Sequence, residues 1–228
     1  MKKVLSNLLT IVAALAISSF TMPGCDHYFG SDEDNEVQPE FEKAKKDAFN
    51  QEMDATIEKM FKKMMAEPET GDPDLDFAHM MIHHHEGGIE VGNIELKYGY
   101  HAEAKEIAQK SNKGNLESKK RLETYMAEHG AAKKMDKAKY KLFREEMMMH
   151  MEQSEKVLKS WPATIDADYD FAEILIHHHQ GALEMSELEL KYGKDKSFRE
   201  EAQMMIMEQE MEIKELGDFR LMHKRPIF

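Results

Sequence analysis

The sequence predicts an all-α fold: a helical bundle built from two tandem repeats with pseudo-two-fold symmetry. Three observations carry this. First, Asp74 to Gly99 aligns without gaps on Asp168 to Gly193, 94 residues further on, with 15 of 26 positions identical, which marks a duplicated unit. Second, strand signals are scarce and β-branched residues few. Third, Gly and Pro fall between segments of helical period, at Pro68, Gly71 and Pro73 and again at Trp161-Pro162.

Taken in order, residues 1–24 read as a secretory signal. Lys2 and Lys3 precede an apolar run, Val4 to Phe20, that is short for a membrane span. The run ends in "MPGC", similar to a bacterial lipoprotein signal, with Cys25 as the lipidation site and the only cysteine. Residues 25–40, acidic and broken by Gly30, predict a flexible tether. The mature protein is then expected outside the cytoplasm, anchored by lipid to a bacterial membrane.

Repeat 1 (41–130) predicts helices near 40–66, 74–98 and 101–128; repeat 2 (131–228) repeats the pattern, its third helix near 195–222. "KYG" closes the second helix of each unit, with Gly99 and Gly193 suited to a left-handed cap. Apolar positions from Phe77 to Gly92 cover more than half the helix circumference, which predicts a central, largely buried helix.

The formal net charge of -13 argues against nucleic acid as a partner. The informative residues are histidines. "HHH" stands inside an apolar helix at His83 to His85 and again at His177 to His179, although each ring carries polar atoms that need partners. Three adjacent helical residues fan over about 200° and cannot share one ion. Two stripes follow from helical spacing. His83, Gly87 and Glu90 repeat as His177, Gly181 and Glu184; His84, Gly88 and Val91 repeat as His178, Ala182 and Met185, with Met80 four residues before His84. If the two helices face each other, His83, Glu90, His177 and Glu184 are expected near the axis, with His84 and His178 alongside. These are ordinary ligands for copper, zinc and iron.

Methionine is the second signal: 18 of its 20 copies follow Cys25, where leucine has 12. The run Met147 to Met151 includes His150, and Met147, Met148 and Met151 with His150 predict a loose, partly exposed Cu(I) site. Methionine also fills helical cores well. "HEGGI" lacks the second histidine of a zinc-protease motif, and no histidine has a glutamate three residues before it, as carboxylate-bridged di-iron bundles require.

"DFAHMMIHHHEGG" and "DFAEILIHHHQGALEM" resemble the Met-x-x-His-His-x-x-Ala core of the bacterial secreted family called domain of unknown function 305. Gln209, Glu212 and Ile213 match its Q-x-x-E-I helix; Asn115, Ser118 and Lys119 depart from it. The resemblance implies a ferritin-like bundle and, for some members, periplasmic copper binding, with His83, His84, His177 and His178 at the motif positions. The expectation is a membrane-anchored metal-binding protein, copper first, serving tolerance, storage or delivery with a metal-exchange partner and possible self-association. Two alternatives stand beside it: a metal-dependent oxidoreductase of the same fold, and a structural bundle whose His-Glu core holds no metal.

Overall fold

The computed structural model describes residues 34–223, and within them six helices. They are α1 (Asp34–Ala66), α2 (Pro73–Tyr98), α3 (Ala102–His129), α4 (Lys137–Ser160), α5 (Ala167–Tyr192) and α6 (Lys196–Met222). The expected signal peptide, Cys25 and the first part of the expected tether lie outside the described residues. The tether is shorter than the sequence predicts: α1 begins at Asp34, so residues 34–40 are helical.

Two four-helix rings share their central pair. α1, α2, α5 and α4 form one ring, and α2, α3, α6 and α5 form the other. α2 and α5 are thus covered on both sides, which is why their apolar surface runs so far round. Phe49, Met53 and Met60 of α1 and Phe143 and Met147 of α4 line one core; Ala104, Leu122, Phe198, Ala202 and Leu216 line the other. Among the described residues no helix is long and apolar enough to cross a membrane.

The repeat is visible in reciprocal contacts. Glu52 takes Lys97 and Tyr98, and Glu146 takes Lys191 and Tyr192. Aspartates cap the starts of α2, α4, α5 and α6, with Asp72, Asp136, Asp166 and Asp195 accepting from backbone amides inside their own helices. Two further aspartates reach across the repeat. Asp168 accepts the amides of Tyr100 and His101 before α3, while Asp74 accepts those of Lys194 and Asp195 before α6. Each unit therefore fastens the third helix of the other. Removing one exposed cap, Asp136→Ala, leaves the amides of Ala138 and Lys139 without their acceptor. Denaturant unfolding should show a loss of about 1 kcal/mol.

The two "KYG" glycines are not left-handed. Gly99 has φ -63° and Gly193 φ -62°, both extended. They are required for space instead: a Cβ on Gly99 would fall on the Glu95 carboxyl, and one on Gly193 on that of Glu189. The left-handed positions are Gly71 and Gly130.

Candidate metal centre

α2 sends its three histidines to three different neighbours. His83 turns towards α1 and its end, with Nε2 2.7 Å from Glu67 and Nδ1 3.2 Å from Glu86. His85 reaches α3, where its Nε2 lies 2.9 Å from Ser118. His84 faces α5 and stacks on His178, the ring centroids 3.8 Å apart. In α5, His179 reaches Glu212 of α6 at 2.9 Å and His177 lies beside Trp161.

The axis is therefore built from His84 and His178, not from the His83 stripe. Glu90 is paired with Lys59 at the surface, and Glu184 with His150. The reason is the helical phase. The stripe of His83, Gly87 and Glu90 faces α1, as shown by Met60 packing onto Gly87, and the stripe about 100° away faces α5. Gly88 has to be small because His178 occupies its side: a Cβ there would lie 2.7 Å from the ring.

His84 and His178 are each 2% exposed. Burial, then neighbouring imidazoles, hold the His84 pKa well below the ordinary histidine value and that of His178 down to about 3. Both rings are neutral, which permits the stack and leaves lone pairs free. The His178 Nε2 donates to the His84 carbonyl at 3.0 Å. His84 Nδ1, His178 Nδ1 and His177 Nε2 are buried without hydrogen-bond partners among the described residues. Outside the axis, Glu86 is held down to about 2: burial opposes ionisation, but hydrogen bonds from Lys119, Lys63 and His83 outweigh it.

The two sides of the axis differ. On the first, the Met60 thioether fills the space over Gly87. The position 94 residues on from Met60 is Ser154, which is too short to do the same over Gly181. A small cavity of about 10 Å³ remains there, room for one ion or water-sized body. His84, His150, His177 and His178 line it, with Met64, Met151, Met185 and Ser154. Imidazoles and thioethers together form a donor set suited to copper.

Of the sequence-predicted residues, the cavity brings together His84, His177, His178, His150 and Met151, and leaves out His83, Glu90 and Met80. Glu184 touches it only through His150. Met80 is fully buried against Arg144, whose guanidinium lies 3.8 Å from the sulfur. The loose Met147–Met151 cluster does not form: Met147 and Met151 point into the core, while Met148 lies only partly buried, about 100° away from Met147 on the helix. Met185 stands in the His178 stripe of the sequence without being proposed as a ligand, and Met64 and Ser154 are not tied to the site by the sequence. The offset that aligned the histidines also pairs Met60 with Ser154, and that mismatch was the available signal.

These features define a duplicated all-helical protein with a buried histidine pair at its pseudo-two-fold axis. The family model described as "Domain of unknown function (DUF305)" matches residues 30–118 and again 74–220, so the chain belongs to that family. Among solved structures it is similar to a DUF305 fragment from Deinococcus radiodurans, with 19% identity and a TM-score of 0.48, over 67% of this chain and 97% of that one. No curated protein matches the chain.

Proposed function

We propose that the protein binds copper in the cavity beside the His84–His178 stack, as an extracytoplasmic binding or transfer protein held to a membrane through Cys25. The observation that carries this reading is the coincidence of unpartnered buried imidazole nitrogens, three thioethers and a void of ionic size on one side only. The same donor set could hold zinc less selectively; the thioethers favour Cu(I). When bound, the ion would supply the cation that these neutral donors lack. His84, His178 and His177 would hold it, with Met151, Met64 and Met185 within the same wall. His150 and the half-exposed Glu184 close the solvent side, which suits exchange with a partner.

The test is a Cu(I) and Cu(II) titration against a competing chelator, comparing the wild type with His84→Ala/His178→Ala. The single tryptophan, Trp161, has its ring 5.3 Å from that of His177 and reports on the cavity by fluorescence. Copper affinity should fall at least tenfold, a change of about 1.4 kcal/mol or more, with helix content retained. Unchanged affinity in a folded variant ends the proposal. For location, Cys25→Ser should move the protein from the membrane fraction to the soluble one; unaltered membrane association refutes the anchor.

A further inference from the structure

The carboxylates that fasten the helix ends gather unevenly. At the start of α2, Asp72 and Asp74 are 0% and 3% exposed, and the His129 side chain beside them is 1% exposed. One donor atom from each of the three lies within 4.8 Å of the other two. Asp72 Oδ1 accepts the Asp74 amide, and its Oδ2 accepts the Lys133 amide and faces His129 Nε2 at 3.0 Å. Asp74 Oδ1 is held by the amides of Lys194 and Asp195. The ring of His129 is set by a carboxylate behind it, Asp195, 3.1 Å from Nδ1. That arrangement fixes Nε2 towards the aspartates, as a carboxylate orients a metal-ligating histidine.

A second observation points at the same spot. Glu189, near the end of α5, is completely buried, and neither of its carboxyl oxygens has a hydrogen-bond donor among the described residues. Its carboxyl faces Asp74, with Asp72 beyond. Several carboxylates packed out of water need a compensating cation or a shared proton. The charge of Arg199 reaches Glu189, but its guanidinium is committed to the Leu190 and Gly193 carbonyls, and Lys133 is largely exposed and reaches only Asp195, at 3.5 Å.

The duplication provides a comparison inside the same molecule. Asp166, Asp168 and Glu95 repeat the carboxyl framework 94 residues away. The residue that repeats His129 is His223, whose Nδ1 lies 2.9 Å from the Phe219 carbonyl and whose ring stacks on Phe219. The position repeating Asp195 is His101. Both copies thus have the carboxyls that cap helices, and one copy adds an imidazole with its orienting carboxylate.

We infer that Asp72, Asp74 and His129, with the buried Glu189 carboxyl packed against Asp74, form a second metal site, for a divalent cation of the zinc type held by oxygen and one imidazole, separate from the histidine–methionine cavity. Carboxylate oxygens and one imidazole disfavour Cu(I) and suit Zn(II) or Mn(II). The site ties the end of α3 and the start of α6 to α2, so a bound ion would stiffen the ring of α2, α3, α6 and α5.

The test uses the whole chain carrying His84→Ala/His178→Ala, stripped with chelator, so that the outcome does not depend on the cavity. Zn(II) binding is followed by calorimetry, and Co(II) is substituted for its visible absorption. One ion per chain should bind and raise the melting temperature. Glu189→Gln and His129→Gln should each weaken binding at least tenfold and remove the melting shift, while Glu95→Gln leaves both unchanged. Helix content before metal addition shows that each variant is folded. Absence of a one-to-one Zn(II) complex overturns the inference, as does equal binding by the Glu189→Gln and Glu95→Gln proteins.

Discussion

Ser154→Met should abolish copper uptake in the cavity without unfolding the protein. In the first unit a methionine already sits at the equivalent position, and its thioether closes the space over Gly87. Placing methionine at Ser154 makes the second unit like the first and fills the void between Gly181, Met151 and His178. Methionine overfills a gap of about 10 Å³, so stability should fall by about 1–3 kcal/mol, with helix content retained. Titration with Cu(I) against a chelator should fall to background, and quenching of Trp161 should disappear with it. A Ser154→Met protein that still takes copper at full affinity would show that the ion binds elsewhere. The substitution leaves every imidazole in place but adds a thioether, itself a soft ligand; Ser154→Leu fills the same space without a donor, so loss of copper in both proteins separates space for an ion from the presence of ligands, which His84→Ala/His178→Ala cannot do.

Stability should decline as pH rises across the neutral and alkaline range, and Glu95→Gln should flatten that decline. Glu95 is fully buried next to Asp168. Burial first, and then the Asp168 charge, raise its pKa from 4.5 to about 9. The folded chain therefore keeps a proton that the unfolded chain loses above its ordinary carboxyl value. Between these two values the native state binds more protons, so unfolding free energy falls as pH increases. The contribution is complete below about 4.5 and gone above about 9. For one proton the slope is at most about 1.4 kcal/mol per pH unit. Glu189, raised to about 10 by burial and by Asp74, contributes with the same sign. A glutamine at 95 keeps a donor for Asp168 and does not titrate, so urea midpoints from pH 7 to 9 in chelator, above the range in which the buried His84, His85 and His178 add a slope of opposite sign, should show about half the wild-type slope. An identical slope in the variant would mean that Glu95 is ionised in the folded protein.

Neutral carboxyls of this kind explain the glycines that close α2 and α5. The sequence shows Gly after "KY" in both units and suggests a left-handed turn. The backbone is extended, and what excludes a side chain is the Glu95 or Glu189 carboxyl folded under the helix end. Nothing local to "ELKYG" reveals that, because the carboxyl's partner, Asp168 or Asp74, belongs to the other repeat.

The sequence by itself determined the all-helical class, the duplication, the helix boundaries near Pro and Gly, and the central burial of α2 and α5. These rest on periodicity, the punctuation of Gly and Pro and self-similarity, which act within a few turns of chain or repeat along it. It also limited the histidines to a fan that no single ion could collect. Only the tertiary structure decided which blade of the fan meets its twin. A rotation of about 100° separates the His83 stripe from the His84 stripe, and both have small residues and apolar neighbours. Met60 over Gly87 turns the first towards α1, and the space above Gly88 admits His178 to the second. The methionines follow the same rule: their spacing marks helix faces, but whether a face meets core, cavity or solvent depends on the helix packed against it. Met151 lines the cavity while Met207 and Met211 stand exposed on α6. The one-sided cavity arises because duplicated helices kept their register while Met60 and Ser154 differ in length, a difference that gains meaning only when both are set against the same axis.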